Sequence, residues 1–212
     1  LLLVVLAGTA FWLVASLAVS HHVYDRSPIA RGAWLDGIDL ARVRCAAVFH
    51  AGHDEASSVA ARRLGGAELR RFDVHDPARG GTPSLRRPRA LAGRADAAIP
   101  IRRIPLEDAT LDLGLLVFAA HEIRRDDERA AFFRELARVL APAGRIVVVE
   151  HLRDAWNLLA YGPGALHFFS RGAWVASFEA AGLAIVRETP CTPIRPVLEV
   201  GGARWGPRPG WR

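Results

Sequence analysis

At 212 residues the chain can form one domain with a full core plus appendages, and 24% charged residues exclude wholesale disorder. Its two cysteines, Cys45 and Cys191, lie far apart, which argues against a disulfide framework and a zinc-binding pattern. The net charge of +6 rests on arginine alone, since lysine is absent. An anionic partner such as acidic lipid or nucleic acid would suit it, but so would an ordinary arginine-biased surface, and we expect no specific nucleic-acid partner.

The chain begins with Leu and contains no Met, so we expect a true N-terminus upstream. Residues 1–20 carry no charge, enough for a helix of about 30 Å, the thickness of a bilayer's hydrocarbon core. A transmembrane helix, a secretory signal peptide and a buried helix all fit such a run. We favour the transmembrane helix, because the run is long for a signal core, although Ala18-Val19-Ser20 could pass for a cleavage site. Trp12 falls mid-span, not where aromatic belts lie. Arg26, Arg31, Arg42 and Arg44 follow against Asp25, Asp36 and Asp39, so the membrane-anchored chain should carry its domain on the cytoplasmic side. Residues 21–42 read as a connector, with Ile29, Trp34 and Leu35 free to pack on the domain or the membrane interface.

Residues 43–49 read as a buried strand, 50–57 as a loop and the stretch to about Leu64 as a helix. Such a first strand–loop–helix turn is the usual seat of a nucleotide-type ligand. Residues 67–72 form a candidate second strand ending in Asp73. Residues 79–103 hold seven Arg and one Asp, with a short helix expected near 85–91 that Pro88 would distort. This stretch is a solvated face or an anion-binding one. Residues 98–101 form a weak third strand.

The stretch 111–154 organises the rest. Two apolar runs without alternation flank a segment in which Phe132, Phe133, Leu136, Val139 and Leu140 recur at helical spacing. Asp126 and Asp127 suit the helix start, and Pro142 and Gly144 should close it. Strand, helix and strand in this order predict parallel neighbours with a right-handed crossover. Each strand ends in polar residues, His121-Glu122 and Glu150-His151, at the carboxyl edge where open α/β sheets bind ligands. Residues 156–169 suggest a lid. Ser170 can cap a helix through Ala181 that Gly182 stops, and 183–188 and 194–200 form two more strands. Residues 201–212 form a Gly/Pro/Arg tail expected to be disordered.

With the segment Ile104-Pro-Leu-Glu-Asp-Ala-Thr-Leu-Asp112 added, residues 43–200 resemble the class I S-adenosylmethionine-dependent methyltransferases of small molecules. The run FFRELARVLAPAGRIVVVEH resembles the family's helix, Pro-Gly turn and fifth strand, and WVASFEAAGLAIV a later helix and strand. The resemblance implies a Rossmann-like, doubly wound α/β sheet of seven mostly parallel strands, the last antiparallel, here preceded by the apolar helix. It also implies S-adenosylmethionine as cofactor. His50 stands where the family has an acid at the first strand end, Gly52 keeps the first glycine of the cofactor loop, and Asp54 and Ala56 replace the other two. Asp54 could meet the cofactor's ammonium, Asp73 matches the acid that holds the ribose hydroxyls, and Leu106 and Glu107 fall near the adenine position.

Methyl transfer from a sulfonium needs an aligned acceptor, and a general base only where the acceptor carries a proton. His121 is the best-placed base, with Glu122 as its orienting partner; His151 and His167 come next. No spacing suggests a metal site. The expected acceptor is a small, apolar or membrane-associated molecule, with membrane lipid a partner through residues 1–20. The alternative is a non-catalytic methyltransferase-like fold serving as a binding or membrane-surface adaptor.

Overall fold

The computed structural model describes residues 2–52, 54, 56–74, 97–192 and 195–202. The helix expected at 85–91, most of the Arg-rich stretch and nearly all of the tail lie outside them. The elements are α1 (Leu2–His21), β1 (Cys45–His50), α2 (Ser57–Leu64), β2 (Glu68–Asp73), β3 (Ala97–Ala98) and β4 (Leu111–Val117). There follow α3 (Asp126–Val139), β5 (Leu140–Val149), α4 (Ala155–Tyr161), α5 (Arg171–Glu179), β6 (Leu183–Thr192) and β7 (Arg195–Gly202).

One sheet runs in the order β3-β2-β1-β4-β5-β7-β6, with six full strands and a two-residue seventh at its edge. Strands β1 to β5 pair in parallel, whereas β7 is antiparallel to both β5 and β6. This is the doubly wound order that the family resemblance implies. The third strand is shorter and earlier than its sequence suggests.

Both faces of the sheet are covered, which explains the consecutive apolar residues at 115–117 of β4 and 146–149 of β5. On one face α3 and α5 pack Phe132, Phe133, Trp174 and Phe178, with Phe133 and Phe178 edge to face at 4.8 Å. On the other, Val59, Ala60 and Leu64 of α2 pack beside Ile29, Trp34 and Leu35. The connector is therefore part of this layer: it folds into 3-10 turns, and the Trp34 indole donates to Ile29 O at 3.1 Å.

The close of α3 differs from the expectation. The helix ends at Val139 and passes straight into β5, so Pro142 and Gly144 lie inside that strand. The register jumps from Leu111↔Leu140 to Leu113↔Arg145, so 141–144 bulge out beside β4. Glycine is required there because a Cβ on Gly144 would lie 2.7 Å from Leu111 O.

The described part of the apolar run lies in the helix α1, and none of that helix's residues is buried. One stripe of α1 rests on α4 and the turn beyond it: Ser16 Oγ donates to Ala160 O at 3.3 Å, and the Trp12 ring covers Gly162.

Candidate active site

Parallel pairing sets the carboxyl ends of β1, β2, β4 and β5 along one edge. His50 and Asp73 are register partners at the ends of β1 and β2, and both are buried. The loop beyond β1 turns at Gly52, whose φ of +85° lies in the left-handed region that a side chain disfavours. Asp54 is anchored to the backbone: its Oδ1 accepts from the N–H of Ala56 at 3.1 Å and of Ser57 at 2.8 Å. It thus shapes the start of α2 by satisfying donors that the helix cannot.

Leu106 and Glu107 do not join this group. They lie just ahead of β4, at the opposite end of the sheet, where Arg138 near the end of α3 donates to Leu106 O at 3.1 Å and to Ile104 O at 3.0 Å. Short in sequence from the third strand, this segment runs back along α3 before β4 begins, as the bond from Ile104 N to Glu135 at 3.1 Å marks. Glu107 is exposed there. Both residues expected near the adenine, Leu106 and Glu107, thus lie apart from His50 and Asp73.

At the end of β4 the chain takes a strained step. Phe118 has a φ of +54°, an outlier for an aromatic residue, before the tight turn Ala120–Glu122. That turn wraps the carboxylate of Glu150, the first residue beyond β5. Glu150 Oε1 accepts from Ala120 N at 2.8 Å and His121 N at 3.2 Å, while Oε2 meets His121 Nδ1 at 2.7 Å. Glu150 is 2% exposed. The carboxylate thus engages Nδ1 of the imidazole and leaves Nε2 on the side away from Glu150.

Glu122, the orienting partner expected from sequence, instead stands at Nε2, with Oε1 3.4 Å away. Glu150 does the orienting. The signal for it was an acid directly after a buried strand, but linking it to His121 requires the register Val117↔Val149. Burial opposes charge on His121, yet the Glu150 charge and the hydrogen bonds to Glu122 and Glu150 outweigh it, pushing the imidazole up to about 10. The bond to His121 holds the Glu122 carboxyl below its usual range.

His167, closing the turn after α4, lies near His121, their rings 6.0 Å apart and nearly perpendicular. Burial and the neighbouring Arg124 hold it below its usual value. Arg124 donates to His167 O at 2.8 Å and sits 4.4 Å over the Phe169 ring, tying the segment after α4 to the turn after β4. His121, Glu122 and His167 bring ligand-capable atoms within 4.8 Å of one another, a cluster that sequence spacing does not reveal. His151 points elsewhere, stacked on Phe168 at 4.5 Å with Nδ1 2.9 Å from Asn157 Oδ1.

Residues 54–148 match the model of a family described as "Methyltransferase domain". No curated protein matches the chain. Among solved structures, the mitomycin 7-O-methyltransferase MmcR is similar at a TM-score of 0.57 and 18% identity, over 82% of this chain and 53% of that one. A SAM-dependent methyltransferase from Aquifex aeolicus gives 0.55 and 15%, over 82% and 94%. The O-methyltransferase NcsB1 from neocarzinostatin biosynthesis, solved with S-adenosylmethionine and 2-hydroxy-5-methyl naphthoic acid, gives 0.56 and 18%, over 92% and 57%. The chain thus spans about half the length of MmcR and NcsB1. Strand order and structural likeness agree that the chain has the fold of these solved S-adenosylmethionine-dependent methyltransferases, and residues 54–148 match the methyltransferase-domain model.

Proposed function

We propose that the chain is an S-adenosylmethionine-dependent methyltransferase acting on a weakly acidic hydroxyl of a small, apolar, membrane-associated acceptor. The observation that carries the reading is the His121–Glu150 pair at the carboxyl edge of the sheet. The residues present fit the cofactor: Asp73 offers buried carboxylate oxygens suited to two ribose hydroxyls, beside His50 and a loop that turns on Gly52. Asp54 keeps that loop in shape through its backbone bonds. When bound, S-adenosylmethionine supplies a methyl group already activated on a sulfonium.

The protein's part is positional and acid–base. Glu150 fixes the imidazole by Nδ1, so that His121 Nε2, once deprotonated, takes the hydroxyl proton from the acceptor. The new imidazolium is then stabilised by Glu150 on one side and Glu122 on the other. The lid segment from α4 to His167, pinned by Arg124, limits water at the acceptor. The apolar α1, without Asp, Glu, Lys or Arg, supports anchoring to a membrane, and the arginines that follow it support a domain on the cytoplasmic side, which would bring the site to acceptors dissolved in lipid.

The test replaces the base. His121→Ala should lower turnover of a phenolic acceptor by about a hundredfold or more and leave S-adenosylmethionine affinity unchanged. Wild-type turnover in that variant would remove His121 from the reaction.

A further inference from the structure

The lid is folded inside out for a surface exposed to water. In α4 the polar Asn157 points inward, fully buried and bonded to His151, while Trp156 and Leu159 are each 61% exposed and Leu158 49%. The turn beyond it exposes Leu166 at 64%. A helix on the surface of a soluble domain normally places these residue types the other way round. A contiguous apolar patch of this kind marks a contact surface.

The patch adjoins α1, whose stripe at Trp12 and Ser16 lies against Gly162 and Ala160. Trp12 stands roughly 14 Å along the helix axis from its end at His21. A medium that receives the uncharged helix up to its last turns therefore also meets the lid packed beside it. Exposed Arg153 lies two residues before α4, and exposed Arg124 donates to His167 O at the close of the turn beyond it, so the chain on either side of the patch carries or meets a cation. That pairing of exposed apolar and flanking cationic groups suits an anionic lipid surface.

We propose that Trp156, Leu158, Leu159 and Leu166 form a membrane-docking surface continuous with α1, so that the lid of the active site is immersed in one leaflet of the bilayer. The inference rests on the membrane reading of α1 and extends it to the catalytic domain. An acceptor dissolved in lipid would then meet the lid, and through His167 the neighbourhood of His121, without crossing water.

The test uses the full chain with Cys45→Ser and Cys191→Ser and one nitroxide-labelled cysteine, in vesicles of phosphatidylcholine and phosphatidylglycerol. Labels replace Leu159 or Leu166 on the lid, Leu3 on α1, or Glu107 at the far end of the sheet, all exposed side chains. At Leu159 and Leu166 we expect loss of contact with a water-soluble nickel chelate and gain of contact with oxygen, as at Leu3, while Glu107 shows the reverse. Lid labels as open to the chelate as Glu107, with Leu3 shielded, would overturn the docking surface and leave α1 as the anchor. Shielding at none of the positions would overturn the membrane reading and the docking surface together. Lid labels shielded by spin–spin contact between protein copies in the absence of lipid would assign the patch to self-association and overturn the proposal.

Discussion

His121 holds Nδ1 2.7 Å from Glu150 Oε2, and the backbone N–H groups of Ala120 and His121 close on the other oxygen of the same carboxylate. Acid and imidazole come from adjacent parallel strands, so the sheet itself fixes their separation. Phe118, with its φ of +54°, lies just ahead of the turn that makes these three contacts.

Removing the charge of Glu150 should move the activity profile. In the wild-type protein His121 is protonated until near pH 10, so kcat/KM for a phenolic acceptor should climb with pH through the neutral range. Glu150→Gln takes away the main cause of the raised value, and the midpoint should fall toward the ordinary imidazole value of about 6.5. An unchanged midpoint in a variant that still binds cofactor would separate His121 from the measured titration.

The same pair ties stability to pH. The folded value of His121 lies above its unfolded one, so the folded state binds the proton more tightly. Its contribution is full below the unfolded value of about 6.5 and is lost as pH rises through about 10. Thermal midpoints should decline across that window, and Glu150→Gln should flatten the decline. A wild-type curve as flat as the variant's would contradict the coupling.

Gly144→Ala probes the junction between α3 and β5. Its new Cβ would lie 2.7 Å from Leu111 O and 2.8 Å from Leu140 Cδ1, so a backbone carbonyl must give way. The expected cost is about 1–3 kcal/mol by denaturant titration, since overpacking forces backbone shifts. Stability within error of the wild type would show that the bulge yields freely.

The strand–helix–strand unit from β4 to β5 is legible in sequence because each element carries its own period, and the two apolar strands announce burial on both faces. His121 and Asp73 are legible as strand-end groups for the same reason. What pairs across space is not. Glu150 reaches His121 through a register that no local pattern states, and Glu122, adjacent in sequence, faces the other ring nitrogen. Nearness in sequence to the third strand suggests Leu106 and Glu107 for the adenine, yet the chain runs along α3 to the far end of the sheet before β4 starts. Asp54 reads as a ligand group in a binding loop and serves as a backbone cap, a use that depends on the local turn alone. The packing of Trp12 on Gly162 is a long-range contact of the same hidden kind.

The most direct measurement is calorimetric titration of the full chain in detergent with S-adenosylmethionine, repeated with Asp73→Asn. Saturable one-to-one binding that weakens at least tenfold in the variant, a loss of about 1.4 kcal/mol, is the predicted result. No binding at millimolar cofactor would contradict the enzyme reading and leave a methyltransferase fold serving another role.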